Sequence, residues 1–179
     1  MTREPFARVG AWLVDLLCVS GWVAVLAVVG AALYFTNVVP AHGAWAGNAI
    51  SFLVLVMPVT VALARFESGT REATIGKQAR RLRVVDVDGR SQVSFGRALL
   101  RNAVKVAVPW GLGHVVFSGL VGSAPSGSVP AWLVVTTAAA YVLPGVYLAT
   151  LFVGNGRTPY DRLSRTRVVR NIDPVAASV

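Results

Sequence analysis

The sequence contains few of the residues from which enzymes, metal sites and disulfide-stabilised domains are built. Only 14% of its 179 residues are charged, against about 25% in a typical soluble domain. The single cysteine, Cys18, excludes an intramolecular disulfide and a cysteine metal cluster. Its two histidines and eight acids show no zinc-like spacing, no Ser, His and Asp catalytic arrangement and no phosphate loop. We therefore expect no catalytic residue, no metal, no cofactor and no enzymatic activity.

Apolar residues take the place of the missing charges. Hydrophobic residues make up 55% of the chain, and its mean hydropathy is +0.62. About 20 apolar residues suffice to cross the hydrocarbon core of a bilayer as a helix. The sequence predicts four such spans, at about 9–35, 43–64, 102–123 and 129–153. A signal peptide is the alternative for the first run, but its apolar region would be only about 7–15 residues long.

The basic residues are distributed very unevenly. All seventeen Lys and Arg residues lie in the N-terminal segment, the polar segment 65–101, the start of the third span or the tail 154–179. The short loops 36–42 and 124–128 contain none. The positive-inside rule places the basic segments and both termini in the cytoplasm. We expect a multi-pass plasma-membrane protein whose net charge of +9 reflects topology and not binding to nucleic acid.

The polar segment 65–101 contains a pattern typical of a short amphipathic helix. Thr74 is a suitable N-cap for a helix from Ile75 to Leu82. Apolar side chains fall on one face and cations on the other, which predicts a helix lying in the membrane interface with its cations toward anionic head groups. The alternative is a solvated helix packed on the rest of the protein. The cations are Lys77, Arg80 and Arg81.

The residues that follow favour extended structure. Val84 and Val85 have strand propensity, and Asp88 with Gly89 indicates a hairpin turn. The letters RVV recur at 83–85 and 167–169, so we expect the tail to lie beside the 83–93 hairpin and form a small sheet. The predicted fold is a single all-α membrane domain, residues 1–179. It is a four-transmembrane-helix bundle with a short amphipathic helix and a small β-hairpin on the cytoplasmic side.

Three sequence blocks resemble one known family. Arg8 precedes Asp15 in the first span, GTREATIGKQARRLRVVDVDGRSQVSFGRALLRN follows the second, and RTPYDRLSRTRVV near the end contains Asp161. This order is similar to the RDD family of bacterial membrane proteins, named for one Arg and two Asp. The resemblance implies a small multi-spanning protein with Arg8, Asp15 and Asp161 as its motif, and a transport role has been suggested for the family. Tyr160 stands where many members carry His.

Asp15 is the acid whose role would decide most about the function of the protein. A carboxylate inside the membrane is costly and usually faces a partner or a wet cavity. It would be either a cation or proton site, or a structural ion pair with Arg8, Arg101 or Lys105. Asp161 has two interpretations as well. It follows Thr158 and a proline, as in a helix capping box, or it makes a functional contact.

Two functions remain from different classes. Polar residues gather on one side of the membrane and intramembrane polar groups are few, which favours an accessory or scaffolding subunit of a larger membrane complex. The alternative is a small ion-coupled transporter or carrier that uses Asp15, for which four spans leave little room unless the chain oligomerises. The expected partners are the lipid bilayer with its anionic head groups, and other membrane subunits or further copies of this chain.

Overall fold

The computed structural model describes residues 4–36, 43–88, 91–123 and 127–171. They form eight α-helices, two short π-helical segments and two strands, counted within these ranges. The helices are α1 Pro5–Phe35, α2 Ala44–Ser51, α3 Met57–Ser68, α4 Ile75–Ala79, α5 Phe95–Asn102, α6 Val108–Ser123, α7 Ala131–Phe152 and α8 Pro159–Leu163. The strands are β1 Leu82–Asp86 and β2 Thr166–Arg170. Most of the two uncharged loops and the predicted turn at Gly89 lie outside the described residues.

Four helical stretches are long and apolar enough to cross a membrane, as the four apolar runs predict. The first and third stretches begin several residues before the predicted spans, because the helices continue into the polar segments that precede them. We refer to the stretches in chain order as the first to fourth spans. They are Pro5–Phe35, Ala46–Ser68, Phe95–Ser123 and Ala131–Phe152.

The second and third spans share a local irregularity. In each, a π-helical segment, Phe52–Val56 or Ala103–Ala107, is followed two residues later by a proline, Pro58 or Pro109. Proline has no N–H, and its ring clashes with the carbonyl four residues earlier in a regular helix. The wider π turn accommodates this clash, so both helices continue past their proline.

The four spans do not pack evenly. The described residues place α3 against α5, α6 against α7, and α2 against α6. α1 packs mainly against α4, and its buried residues, Gly10, Ala11 and Asp15, all lie in its first half. The rest of α1 has no buried residue.

The two strands form an antiparallel sheet, as the repeated RVV pattern predicts. Val84 pairs with Val168, and Arg83 pairs with Val169. On the other edge of β1, the described residues of the predicted 83–93 hairpin form a bridge between Val85 and Gln92 and a hydrogen bond from the Asp86 N–H to the Ser91 carbonyl. A small apolar core lies where the sheet meets α3 and α5. Its members are Ala64, Val84, Val93, Ala98, Leu99 and Val168.

The amphipathic helix is shorter than predicted. Thr74 caps α4 as expected, since its side chain accepts a hydrogen bond from the Lys77 N–H. The helix ends at Ala79, however, because Arg81 adopts a left-handed conformation (φ 54°) and Leu82 begins β1. We call the polar end the part of the molecule formed by α4, α5, α8, the sheet and the helix ends in contact with them.

Candidate functional site

Asp161 joins three helices at the polar end. One of its carboxylate oxygens accepts a hydrogen bond from Arg8 Nη2 at 2.6 Å, and the other accepts from Arg101 Nε at 3.0 Å and Nη2 at 2.9 Å. The same carboxylate accepts from the Thr158 N–H at 3.2 Å and completes a capping box at the start of α8. The capping interpretation is confirmed, but Asp161 also links α8 to α1 and α5. A functional contact of Asp161 stays a prediction.

Glu67, in the last turn of α3, is fully buried and has three partners. Lys77 Nζ lies 2.5 Å from one of its oxygens. Arg101 Nη1 lies 2.6 and 2.7 Å from its two oxygens, and Asn102 Nδ2 donates to it at 2.8 Å. Because Arg101 also binds Asp161, this one guanidinium bridges two buried acids.

The ring of Tyr160 stacks against the guanidinium of Arg101. Its ring centre lies 5.2 Å from the Arg101 guanidinium carbon, in a cation–π arrangement. Tyr147 of the fourth span packs edge-on against Tyr160 at 5.0 Å, and its hydroxyl donates to the Val104 carbonyl at 2.9 Å. An aromatic ring at position 160 therefore connects Arg101 to the fourth span.

Asp15 is held by neutral groups. It is 6% exposed and accepts hydrogen bonds from the Thr74 hydroxyl at 2.7 Å and the Gly76 N–H at 2.8 Å. A Cβ at Gly76 would lie 2.0 Å from the Ala11 carbonyl oxygen, so only glycine allows α4 to approach α1 this closely. No Lys or Arg in the described ranges forms a salt bridge with Asp15.

Thr74 connects Asp15 to the buried ions. Its hydroxyl donates to Asp15 and lies 3.5 Å from Lys77 Nζ, which binds Glu67. A continuous chain of polar contacts therefore runs from Asp15 to Arg8. We call it the ion network. Its members are Asp15, Thr74, Lys77, Glu67, Arg101, Asp161 and Arg8.

The ion network is electrically balanced, with three carboxylates and three cations. Burial would by itself raise the pKa of Asp161, but the charges of Arg101 and Arg8 outweigh it and lower this pKa to about 2. Burial lowers the pKa of the Lys77 ammonium to about 8, even though Glu67 opposes the change. At neutral pH the acid at 161 is ionised and Lys77 is mostly protonated.

The predicted ion pairs of Asp15 with Arg8 and Arg101 are wrong, because Arg8 binds Asp161 and Arg101 binds Glu67 and Asp161. Half-buried Lys105 interacts electrostatically with Asp15 but forms no salt bridge with any described acid. The reason is the position of α4. The first turn of α4 lies against α1, so the Thr74 hydroxyl and the Gly76 N–H occupy the hydrogen-bonding positions around Asp15.

The predicted head-group contact of Lys77 is also wrong. Its side chain is buried against Glu67, whereas Ile75, predicted to lie on the apolar face, is 49% exposed. The predicted cationic face is not kept together, because Lys77 turns inward to the buried acid Glu67 while Arg80 and Arg81 stay at the surface. Arg80 and Arg81 are both exposed, and their contact with head groups stays a prediction.

Sequence reasoning missed Glu67 and Asn102. A signal for Glu67 is present, because an acid in the last turn of a helix opposes the helix dipole and is expected to need a nearby cation. Asn102 follows Arg101 at the start of the third span, which is the element adjacent to the C-terminal end of α3. The sequence signal is thus an isolated acid at the end of one span, Glu67, followed by a cation and an amide in the next span, Arg101 and Asn102.

The ion network connects helices of the same chain to one another. Every carboxylate oxygen of Asp15, Glu67 and Asp161 accepts at least one hydrogen bond from the protein. Within the described ranges, no group of three or more His, Cys, Asp and Glu residues is placed to hold a metal ion.

Comparison with known proteins gives one match. A family model described as the RDD family matches residues 2–124. This range contains Arg8, Asp15, Glu67 and Arg101, whereas Asp161 lies beyond it. No curated protein and no solved structure matches the chain.

Proposed function

Since the chain belongs to the RDD family, we propose that it is an accessory or scaffolding subunit of a larger complex in the plasma membrane. The ion network supports this role. All three of its acids are held by donors of the same chain, so they fix the relative positions of α1, α3, α4, α5 and α8. A protein built in this way offers a rigid polar end and long apolar helices to its neighbours.

The polar end is the part that we propose to lie in the cytoplasm. It carries exposed Arg80 and Arg81, whereas the segments that join the first span to the second and the third to the fourth contain no Lys or Arg. The test places Ser91→Cys or Ser128→Cys in a Cys18→Ser background and labels intact cells with an impermeant maleimide. The residue at 128 should react from outside and the residue at 91 only after permeabilisation. Reaction of both from the same side would contradict this topology.

The subunit proposal is tested by isolating the chain, expressed at its natural level, in a mild detergent. Native mass spectrometry combined with cross-linking should show a stoichiometric complex with at least one different membrane protein. Dilution should not dissociate that complex. A chain recovered only as a monomer or homo-oligomer, under conditions that preserve known complexes from the same membrane, would contradict the proposal.

A small ion-coupled carrier is the second candidate, because Asp15 borders a groove between the first and second spans. The hydrogen bonds from Thr74 and Gly76 leave each Asp15 oxygen able to accept further contacts. Proteoliposomes containing the chain alone distinguish the candidates. Proton-coupled ion flux that Asp15→Asn abolishes at normal protein content would support the carrier. Absence of this flux from proteoliposomes that contain the folded wild-type chain would favour the subunit.

A further inference from the structure

A groove of about 230 Å³ lies between α1 and α3. On the α1 side it is lined by Asp15, Cys18 and Trp22, whose spacings of three and four residues place them on one helix face. On the α3 side it is lined by Ala62 and Phe66, among other apolar residues. Two small side chains, Cys18 and Ala62, are among the residues that line it.

The groove is apolar except at Asp15. The two donors to this carboxylate, Thr74 and Gly76, are neutral. Lys105 interacts with it electrostatically from outside the groove, and no Lys or Arg lines the groove itself. A negative charge at this depth is costly unless a cation approaches it. The groove therefore has the electrostatic character of a cation site with apolar walls.

The aromatic residues strengthen this character. Trp22 and Phe66 lie on opposite walls, and aromatic faces attract organic cations through the ring quadrupole. Since α1 and α3 run in opposite directions, Phe66 lies toward the level of Asp15 and Trp22 lies deeper in the span. A ligand with a charged head at Asp15 would thus place its apolar part along Trp22.

We propose that this groove binds an amphipathic organic cation, with its ammonium head beside Asp15 and its apolar body between α1 and α3. An anion would be repelled by the carboxylate, and a neutral chain would leave that charge without a partner. Binding of such a ligand goes beyond the subunit role and does not depend on it.

The experiment measures binding of decyltrimethylammonium to the full-length chain in phosphatidylcholine nanodiscs. Decanesulfonate, with the same alkyl chain and the opposite charge, controls for partition into the lipid. We expect saturable binding of the cation only. Asp15→Asn should weaken it by about tenfold or more, as loss of a charge-assisted contact implies. The amide retains the local fold, because its oxygen can accept from the Gly76 N–H and its nitrogen can donate to Thr74.

Two further variants test the walls. Trp22→Leu should weaken binding about threefold through loss of apolar contact with the alkyl chain, whereas Trp12→Leu, also on α1 and 51% exposed but outside the groove, should have no effect. Ala62→Phe fills the groove without touching the carboxylate. It should abolish binding even if Asp15→Asn proves unstable.

Three results would overturn the proposal. These are equal affinities for the wild type and a folded Asp15→Asn, saturable binding of the sulfonate, or unchanged binding in Ala62→Phe. A phospholipid that co-purifies in the groove, with no displacement by the cation in native mass spectrometry, would also overturn it and identify a lipid site.

Discussion

Fully buried side chains are concentrated at the polar end, whereas α6, which forms most of the third span, buries none of its sixteen residues. Arg101, Glu67 and Asp161 at the polar end are each at most 1% exposed. The difference has a physical origin. Lipid tails are as apolar as leucine side chains, so apolar surfaces gain little by meeting each other inside a bilayer. A buried charge, by contrast, is very costly when it has no partner of the opposite sign.

This contrast indicates that the ion network determines the arrangement of the helices, and that contacts between apolar helix faces contribute less to it. Substitutions at the polar end should then cost far more stability than comparable substitutions deeper in the spans. Four substitutions or conditions test this comparison.

The largest effect is expected for Arg101→Leu. Removing this guanidinium leaves Glu67 and Asp161 buried without their shared cation, and breaking a buried pair in this way costs about 3–5 kcal/mol. We expect a large loss of protein from the membrane fraction and a lower Tm in detergent. Arg162→Leu, at an exposed position of α8, is the matched control and should behave like the wild type. Equal stability of both variants would show that the ion network does not determine the fold.

Gly76→Ala tests the contact between α4 and α1. The added methyl group would collide with the Ala11 carbonyl oxygen and push the Thr74 hydroxyl away from Asp15, at a cost of up to about 3 kcal/mol. Gly96→Ala in α5, where a Cβ meets nothing within 4 Å, should be neutral or slightly stabilising. Thermal unfolding of the two variants gives the comparison, and a Gly76→Ala protein as stable as Gly96→Ala would contradict it.

The sequence predicts those features of the polar end that depend on neighbouring residues. The Thr158 capping box and the Thr74 N-cap need only residues three positions apart, and both were expected. The pairing of β1 with β2 was also predictable, because the RVV pattern occurs twice and a strand needs a partner. The four spans follow from the length and composition of the apolar runs.

The choice of ion partners was not predictable in the same way. The sequence has eight acids, and the packing of α3 and α8 against α5 brings Glu67 and Asp161 to Arg101. The orientation of Lys77 depends on the acid that lies beneath α4, which a helical wheel of α4 does not contain. Such choices belong to the tertiary structure and need a contact map or a comparison of many related sequences.

A pH titration of stability tests Asp161 more finely. Its pKa is lowered to about 2 in the folded chain, against about 3.9 when unfolded. The ionised carboxylate therefore contributes fully above about pH 4, and its contribution of about 2 kcal/mol is lost as the pH falls through about 2. The Tm of the wild type should fall in this window by more than that of Asp161→Asn. Parallel curves for the two proteins would show that Asp161 is not stabilised by its arginines.

The smallest effect is expected for the hydrogen bond between the second and third spans, far from the polar end. Asn48 Nδ2 donates to Ser118 Oγ at 2.6 Å. Polar contacts between helices in a membrane are worth about 0.6 kcal/mol on average, because the separated helices also find partners. A double-mutant cycle with Asn48→Ala and Ser118→Ala, followed by thermal unfolding in one detergent, measures this coupling directly. A coupling near that value, several times smaller than the cost of Arg101→Leu, would sharpen the contrast between the two regions. A coupling above about 2 kcal/mol would place comparable stabilisation inside the spans, and the polar end would no longer be the principal determinant of the helix arrangement.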